Sequence, residues 1–229
     1  MPLRDLFSGV LFTAMLAVAA GGWCPASAAA PAARPAAKPD SEAPLAEGWP
    51  DATQPGEIEV KDYPAYRSAM AKAGNVSLAG DRRMFFSLLE HITRSNVAMT
   101  APVVNTYEPD MIDKPDQRGE MSTEFLYASP TLGQPGKGVG AVEVVDHPAA
   151  TYVCLGLQGR VDDATLRDSV GRLREWLADH KEEWVESGPP RRLGYHGPDT
   201  PLEERLWEVQ LPVKPVAAKP AGGTPEAAR

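Results

Sequence analysis

Ile58-Glu59-Val60-Lys61-Asp62-Tyr63-Pro64-Ala65 returns as Val142-Glu143-Val144-Val145-Asp146-His147-Pro148-Ala149, at an offset of 84 residues (142 − 58). Five of the eight positions are identical and a sixth exchanges Ile for Val. The stretches after the two copies also match in kind. Each continues into an extended run (66–72 and 151–158) and then a helical pattern (81–94 and 163–180). Two further strand-like runs close each copy, at 103–107 and 123–127 in the first and at 192–195 and 205–213 in the second. A unit of a few strands and one helix cannot cover its own apolar face, whereas two copies packed together can. Short Pro/Gly connections between consecutive strands favour antiparallel pairing. The expected fold is therefore α+β and pseudo-twofold. About eight mostly antiparallel strands form a bent sheet or distorted barrel, flanked by two helices.

The helices carry their own signals. In 81–94, Phe85, Leu88, Leu89 and Ile92 fall at i, i+3, i+4 and i+7, which predicts that this stripe is the buried face. In 163–180, Leu166, Val170, Leu173 and Leu177 play that part, with Asp162 or Asp163 as the cap. Pro102 biases Ala101 away from helical geometry, so the chain runs extended from there.

Composition sets the boundaries. Residues 1–28 join a short basic start (Arg4), an apolar stretch (6–20) and the small residues Ala26-Ser27-Ala28, which reads as a secretory signal peptide. The apolar stretch is short for a membrane span, so no stable span is expected after cleavage, and an uncleaved anchor is the competing reading. Export to a periplasm or the extracellular space is therefore the expected localisation. Residues 29–49 are an Ala/Pro-rich linker, 50–213 the folded domain, and 214–229 a tail of similar composition. Signal cleavage removes Cys24 and leaves Cys154 alone, so no intrachain disulfide forms and Cys154 reads as a small buried hydrophobe. The net charge of −8 argues against nucleic acid as a partner bound through a general basic field.

Met99-Thr100-Ala101-Pro102-Val103, straight after the first helix, resembles the Met-Thr-x-Pro-Val segment of the SOUL family of haem-binding proteins. The first-helix pattern, Phe125-Leu126-Tyr127 with Pro130, Gly194-Tyr195 with Pro198, and Leu206-Trp207-Glu208-Val209 resemble further segments of that family in order. The usual Tyr near the end of the first helix is replaced by His91. The resemblance implies a haem or other tetrapyrrole ligand, and a fold similar to bacterial effector-binding domains. Haem needs an apolar slot, cations for its propionates and, optionally, an axial ligand. Met84, Leu88 and His91 form a second stripe on the first helix that would lie along a flat ligand if it faces a groove. The alternative is a wide core face with His91 at its edge. His91 is the histidine proposed as axial ligand, against a surface role beside Glu90. Met99 could offer a thioether or simply fill the core. Arg82 and Arg83 at the helix N-terminus are candidates for the propionates.

No His-Glu-x-x-His, Gly-x-Ser-x-Gly, phosphate loop or CxxC is present. Glu59 and Glu143 occupy equivalent repeat positions but alternate with apolar neighbours, which points them to solvent. The functional expectation is thus an exported haem or tetrapyrrole binder acting in transport, buffering or sequestration. The alternatives are a module of the same fold for another hydrophobic ligand or a protein partner, and a hydrolase acting from the cleft between the halves.

Overall fold

The computed structural model describes residues 43–217. The proposed signal peptide, most of the linker and most of the tail lie outside the described residues. Along the chain run β1 (Ile58–Tyr63), β2 (Tyr66–Val76), α1 (Arg82–Arg94), β3 (Val103–Tyr107), the short α2 (Pro109–Asp113), β4 (Gly119–Leu126) and β5 (Gly136–Lys137). Then come β6 (Glu143–His147), β7 (Ala150–Gln158), α3 (Asp163–Asp179), β8 (Trp184–Glu186), β9 (Arg191–Gly194) and β10 (Leu206–Pro215). The ten strands make one antiparallel sheet, ordered β1-β7-β10-β9-β3-β4-β2-β6-β5, with β8 on the far end of β10. The sheet stays open and does not close into a barrel.

The duplication is visible in that order. Replace each strand from β1 to β6 by its repeat partner (β1 with β6, β2 with β7, β3 with β9, β4 with β10), and the order reads backwards. The pseudo-twofold axis passes between β3 and β9, where Val104 pairs with Leu193. Each half lends its first strand to the other. β1 lies against β7 of the second half, with Tyr63 opposite Ala150, and β6 lies against β2 of the first, with His147 opposite Tyr66. Pro64 and Pro148, neither with an N–H to give, sit at the two corners where the chain leaves one pairing for the other.

Alternation along the strands divides the sheet into two faces. Ala69, Ala71, Met121, Phe125, Val153, Leu155, Val209 and Leu211 build the core under α1 and α3. Tyr63, Tyr66, Val104, Leu126, Cys154, Leu193 and Tyr195 line the opposite, helix-free face. Both helices start on an aspartate, Asp81 accepting from the Arg83 N–H and Asp162 from the Thr165 N–H. The first helix ends before Pro102 can act. Asn96 takes a left-handed conformation (φ 51°), and Val97 N–H closes on Ile92 O.

Two features differ from the sequence reading. The buried stripe of α1 is Met84, Leu88, His91 and Ile92, while Phe85 and Leu89 remain 39% and 41% exposed. The helix lies over β2 and β4 and is turned so that its Phe85–Leu89 edge looks toward the central strands. The packed chain also begins before residue 50. Leu45 bridges to Ala101, Ala46 and Trp49 are buried, and Pro55 bridges to Gly156. Residues 45–56 thus form a strap along the second half of the helix-free face. Gly156 is where it touches, since a Cβ there would run into the backbone of Thr53 and Gln54. Cys154 lies beneath, fully buried, its thiol pushed up to about 12 first of all by burial.

The strap contact predicts opposite results for two glycines. Gly156→Ala should cost about 1–3 kcal/mol by overpacking against backbone. Gly171→Ala, in α3 with open space around it, should gain about 0.5–1 kcal/mol. Denaturant unfolding of both variants measures the difference, and proteolysis of the Gly156 variant should show cleavage near the strap.

Candidate functional site

The helix-bearing face has an uncovered strip over β3 and β9, because α1 and α3 sit on the flanking strands. Two hollows open there, of about 430 and 250 Å3, sharing Phe85, Val103, Gly194 and His196 as walls. The larger is apolar, completed by Leu89, Met99, Tyr195 and Pro198. The smaller carries Arg82, Met84, Arg192 and Trp207. Gly194 is small because the Trp207 indole lies across it, where a Cβ would be 2.8 Å from the ring. Arg192 stands 5.3 Å from the Trp207 ring and 5.9 Å from Tyr107, with Nε buried and unpartnered. The combined groove is therefore greasy at one end and cationic at the other.

The residues singled out from the sequence fall in several places. Met99, Met84 and Arg82 line this groove. Leu88 is fully buried in the core. Arg83 is paired with Asp81 and faces a separate hollow. His91 is 3% exposed, at the edge of the core on the far side of α1. Its Nδ1 accepts the Val139 N–H (3.1 Å) and its Nε2 meets the Tyr127 hydroxyl (2.9 Å). Nδ1 must then be the unprotonated nitrogen and Nε2 the N–H donor to Tyr127, so the ring as held offers no lone pair to iron. His196, at the groove wall, has a similar arrangement at Nδ1, which accepts from Leu206 N–H. Met99, a thioether side chain, lines the apolar wall. Thr100 donates to Leu126 O (2.6 Å), satisfying backbone where helix gives way to strand.

The helix-free face holds what the sequence reading missed. Glu124 and Glu208 are repeat partners at the same offset of 84 (208 − 124), and both are buried, at 4% and 0% exposure. Glu208 lies under the strap and is saturated. Its Oε1 accepts from the Thr53 N–H and Lys61 Nζ, and its Oε2 from Tyr63, Tyr195 and Gln210. Burial alone would raise its carboxyl, and the Lys61 charge and these donors overcome that and hold it below the usual range. Glu124 repeats the pattern in reduced form, with His147 in the place of Tyr63. Burial raises its carboxyl too, and hydrogen bonds from His147 and Ser68 bring it below the usual range. The signal was present as a glutamate inside an apolar strand in each copy, at the repeat spacing. Ser68, His147 and Glu124 converge within 3.0 Å, but Ser68 is fully buried and its hydroxyl donates to Glu124, so no nucleophile is presented. Among the described residues no group of three or more His, Cys, Asp or Glu could hold a metal ion, and no helix is long and apolar enough to cross a membrane.

His91 sets a pH dependence. Burial holds its pKa below the ordinary 6.5, so the unfolded chain takes up the proton first. Its contribution to stability is complete above that ordinary value and is lost as pH falls through it toward the lower folded value. Wild type should therefore lose more stability between about pH 8 and pH 5 than His91→Gln, which has nothing to titrate. Denaturant midpoints at the two pH values give the comparison, and parallel losses would refute it.

Among curated proteins none matches the chain. Solved structures share its fold. The C-terminal domain of EcmrR superposes with a TM-score of 0.55 at 20% identity, covering 70% of this chain and 98% of that one. EcmrR in its DNA complex gives 0.54 at 18% identity, the match covering 70% of this chain and 58% of that longer one. A protein from Listeria innocua described as a hydrolase gives 0.51 at 11% identity, covering 70% and 93%. At these identities the likeness is one of fold. The model of the SOUL heme-binding protein family matches residues 51–212, from the strap to the end of the sheet, and the chain belongs to that family.

Proposed function

We propose that this chain is an exported binder of haem or another tetrapyrrole, acting in transport, buffering or sequestration, and that the groove beside α1 is the binding site. Family membership supports the ligand class. The single observation that carries the site is an apolar helix edge left open beside cations: Phe85 and Leu89 stay about two-fifths exposed in one hollow while Arg82 and Arg192 line the adjoining one, which shares Phe85. The residues fit the group. Phe85, Leu89, Met99 and Val103 would lie against the macrocycle, and its removal from water supplies the affinity. Arg192, its Nε without a partner, and Arg82 would receive the propionates. Bound haem supplies an iron centre whose reactivity follows its ligands. Met99 is the donor on the apolar wall that this chain can bring to that iron, whereas ligation by His91 requires it first to leave Val139 and Tyr127. Export rests on the leader-like composition of residues 1–28.

Hemin titration followed at the Soret band tests the reading. Saturable binding is expected. A Phe85→Ser, Leu89→Ser double variant should bind at least about tenfold more weakly, and Arg192→Ala should weaken binding by a smaller factor. His91→Ala should leave the band position unchanged and Met99→Leu should move it. Equal binding by wild type and the double variant removes the groove as the site. Saturation by a non-haem hydrophobe alone would favour the module for another hydrophobic ligand.

A further inference from the structure

A cavity of about 1120 Å3 lies on the opposite, helix-free face, and the tetrapyrrole reading leaves it unused. It is the pseudo-twofold counterpart of the channel filled by the strap. The filled half shows what the carboxylate of the open half lacks. Glu208 takes the Lys61 ammonium at 2.6 Å and the Thr53 N–H on Oε1. Glu124 uses only Oε2, for Ser68 (2.7 Å) and His147 (3.0 Å). Its Oε1 has no donor among the described residues, although the residue is 96% buried (100 − 4). The repeat position of Lys61 is Val145, so the alkylammonium is missing from this half by sequence. A second strap cannot supply it. Its path crosses Gly156 in the filled half, and the counterpart of Gly156 is Lys72, whose exposed side chain stands in the cavity wall.

Arg191 shares the same wall, close enough for its charge to help hold Glu124 ionised but without a direct ion pair to it. It is 3% exposed, 3.5 Å above the Tyr152 ring, with Nε on Gln210 and Nη1 on the Tyr66 hydroxyl. Its Nη2 has no partner, and no carboxylate among the described residues forms an ion pair with it. The rings of Trp49, Tyr63 and Tyr152 and the field of Glu124 offset part of the cost of burying this guanidinium, and its Nη2 remains unsatisfied. Around the rim, Glu186 is paired with Arg174, Glu108 accepts from the Glu120 N–H, and Lys72 faces Ser122 across the β2–β4 pairing. A simple cation in the cavity meets the field of Arg191, and a simple anion meets Glu124 and the rim carboxylates. We propose that the open half of the helix-free face binds a small zwitterion carrying a primary ammonium and a carboxylate, the ammonium on Glu124 Oε1 and the carboxylate toward Arg191. Tyr66, stacked on His147 at 4.3 Å and accepting from Arg191 Nη1, lies between the two charges, and Met70 lines the same cavity.

Calorimetry on the full chain tests this with glycine, γ-aminobutyrate and ε-aminocaproate, zwitterions of graded spacing, against hexylamine and caproate. At least one zwitterion should saturate, with the amine and the acid at least about tenfold weaker. Glu124→Gln should abolish binding. Val145→Lys restores the counterpart of Lys61, and it should block binding while raising the thermal midpoint, which keeps the test sharp even if the Glu124 variant folds poorly. The proposal is overturned if hexylamine binds as well as the zwitterions, if Val145→Lys binds like wild type, or if no zwitterion gives saturable heat. Hemin binding on the other face should be unchanged in Val145→Lys.

Discussion

Neither half of this chain can finish its own sheet. The first strand of each repeat pairs with the second strand of the other, in a single register that runs unbroken across both corners from Tyr63–Ala150 to Tyr66–His147. Everything else rests on that exchange. It brings Lys61 and Tyr63 of one half over Glu208 of the other, and His147 of the second half over Glu124 of the first. It also fixes α1 and α3 over outer strands and leaves β3 and β9 bare between them. The groove on one face and the cavity on the other are both consequences of one crossed pairing.

Duplicated chains begin with two equivalent surfaces, and this one has made them unequal. In the second half, Trp49, Ala52 and Thr53 settle onto Tyr63, Tyr195 and Glu208, with Gly156 small enough to admit the strap backbone. The indole of Trp49 meets Tyr63 and Tyr66 edge-on at 4.8 and 5.2 Å, an arrangement that aromatic quadrupoles favour. In the first half the same positions carry Lys72, Val145 and His147. One carboxylate became part of the core by gaining five donors. The other kept a free oxygen.

Much of this was legible in the residues. The repeated octapeptide foretold the symmetry, and 3.6- and 2-residue periodicities placed the two long helices and most strands, because those patterns are set by burial on one face. The facing of α1 was not legible. Apolar residues at 84, 85, 86, 88, 89 and 92 spread over roughly 200° at 100° per residue, so periodicity alone leaves two edges open as the core side. Tertiary placement chose Met84 and His91. His91 could be buried because Tyr127 and the Val139 N–H answer its two nitrogens, and those partners come from elsewhere in the chain. The short β5, β8 and α2 were missed since two to five residues carry too little periodicity. The strap was missed because Leu45-Ala46-Glu47-Gly48-Trp49 shares the composition of a linker, and only contact with the sheet gives it order.

The crossed strands also bear on how the chain is made. Ile58 meets Leu155, nearly a hundred positions later, and β1 has no earlier partner strand among the described residues. A polypeptide emerging from its amino end must therefore hold that strand unpaired until β7 has followed it out. Such long-range closure is slow and leaves an unpaired strand exposed in the meantime. The amino-terminal strand is thus among the last to be locked in place, and the two halves complete their sheet together or not at all.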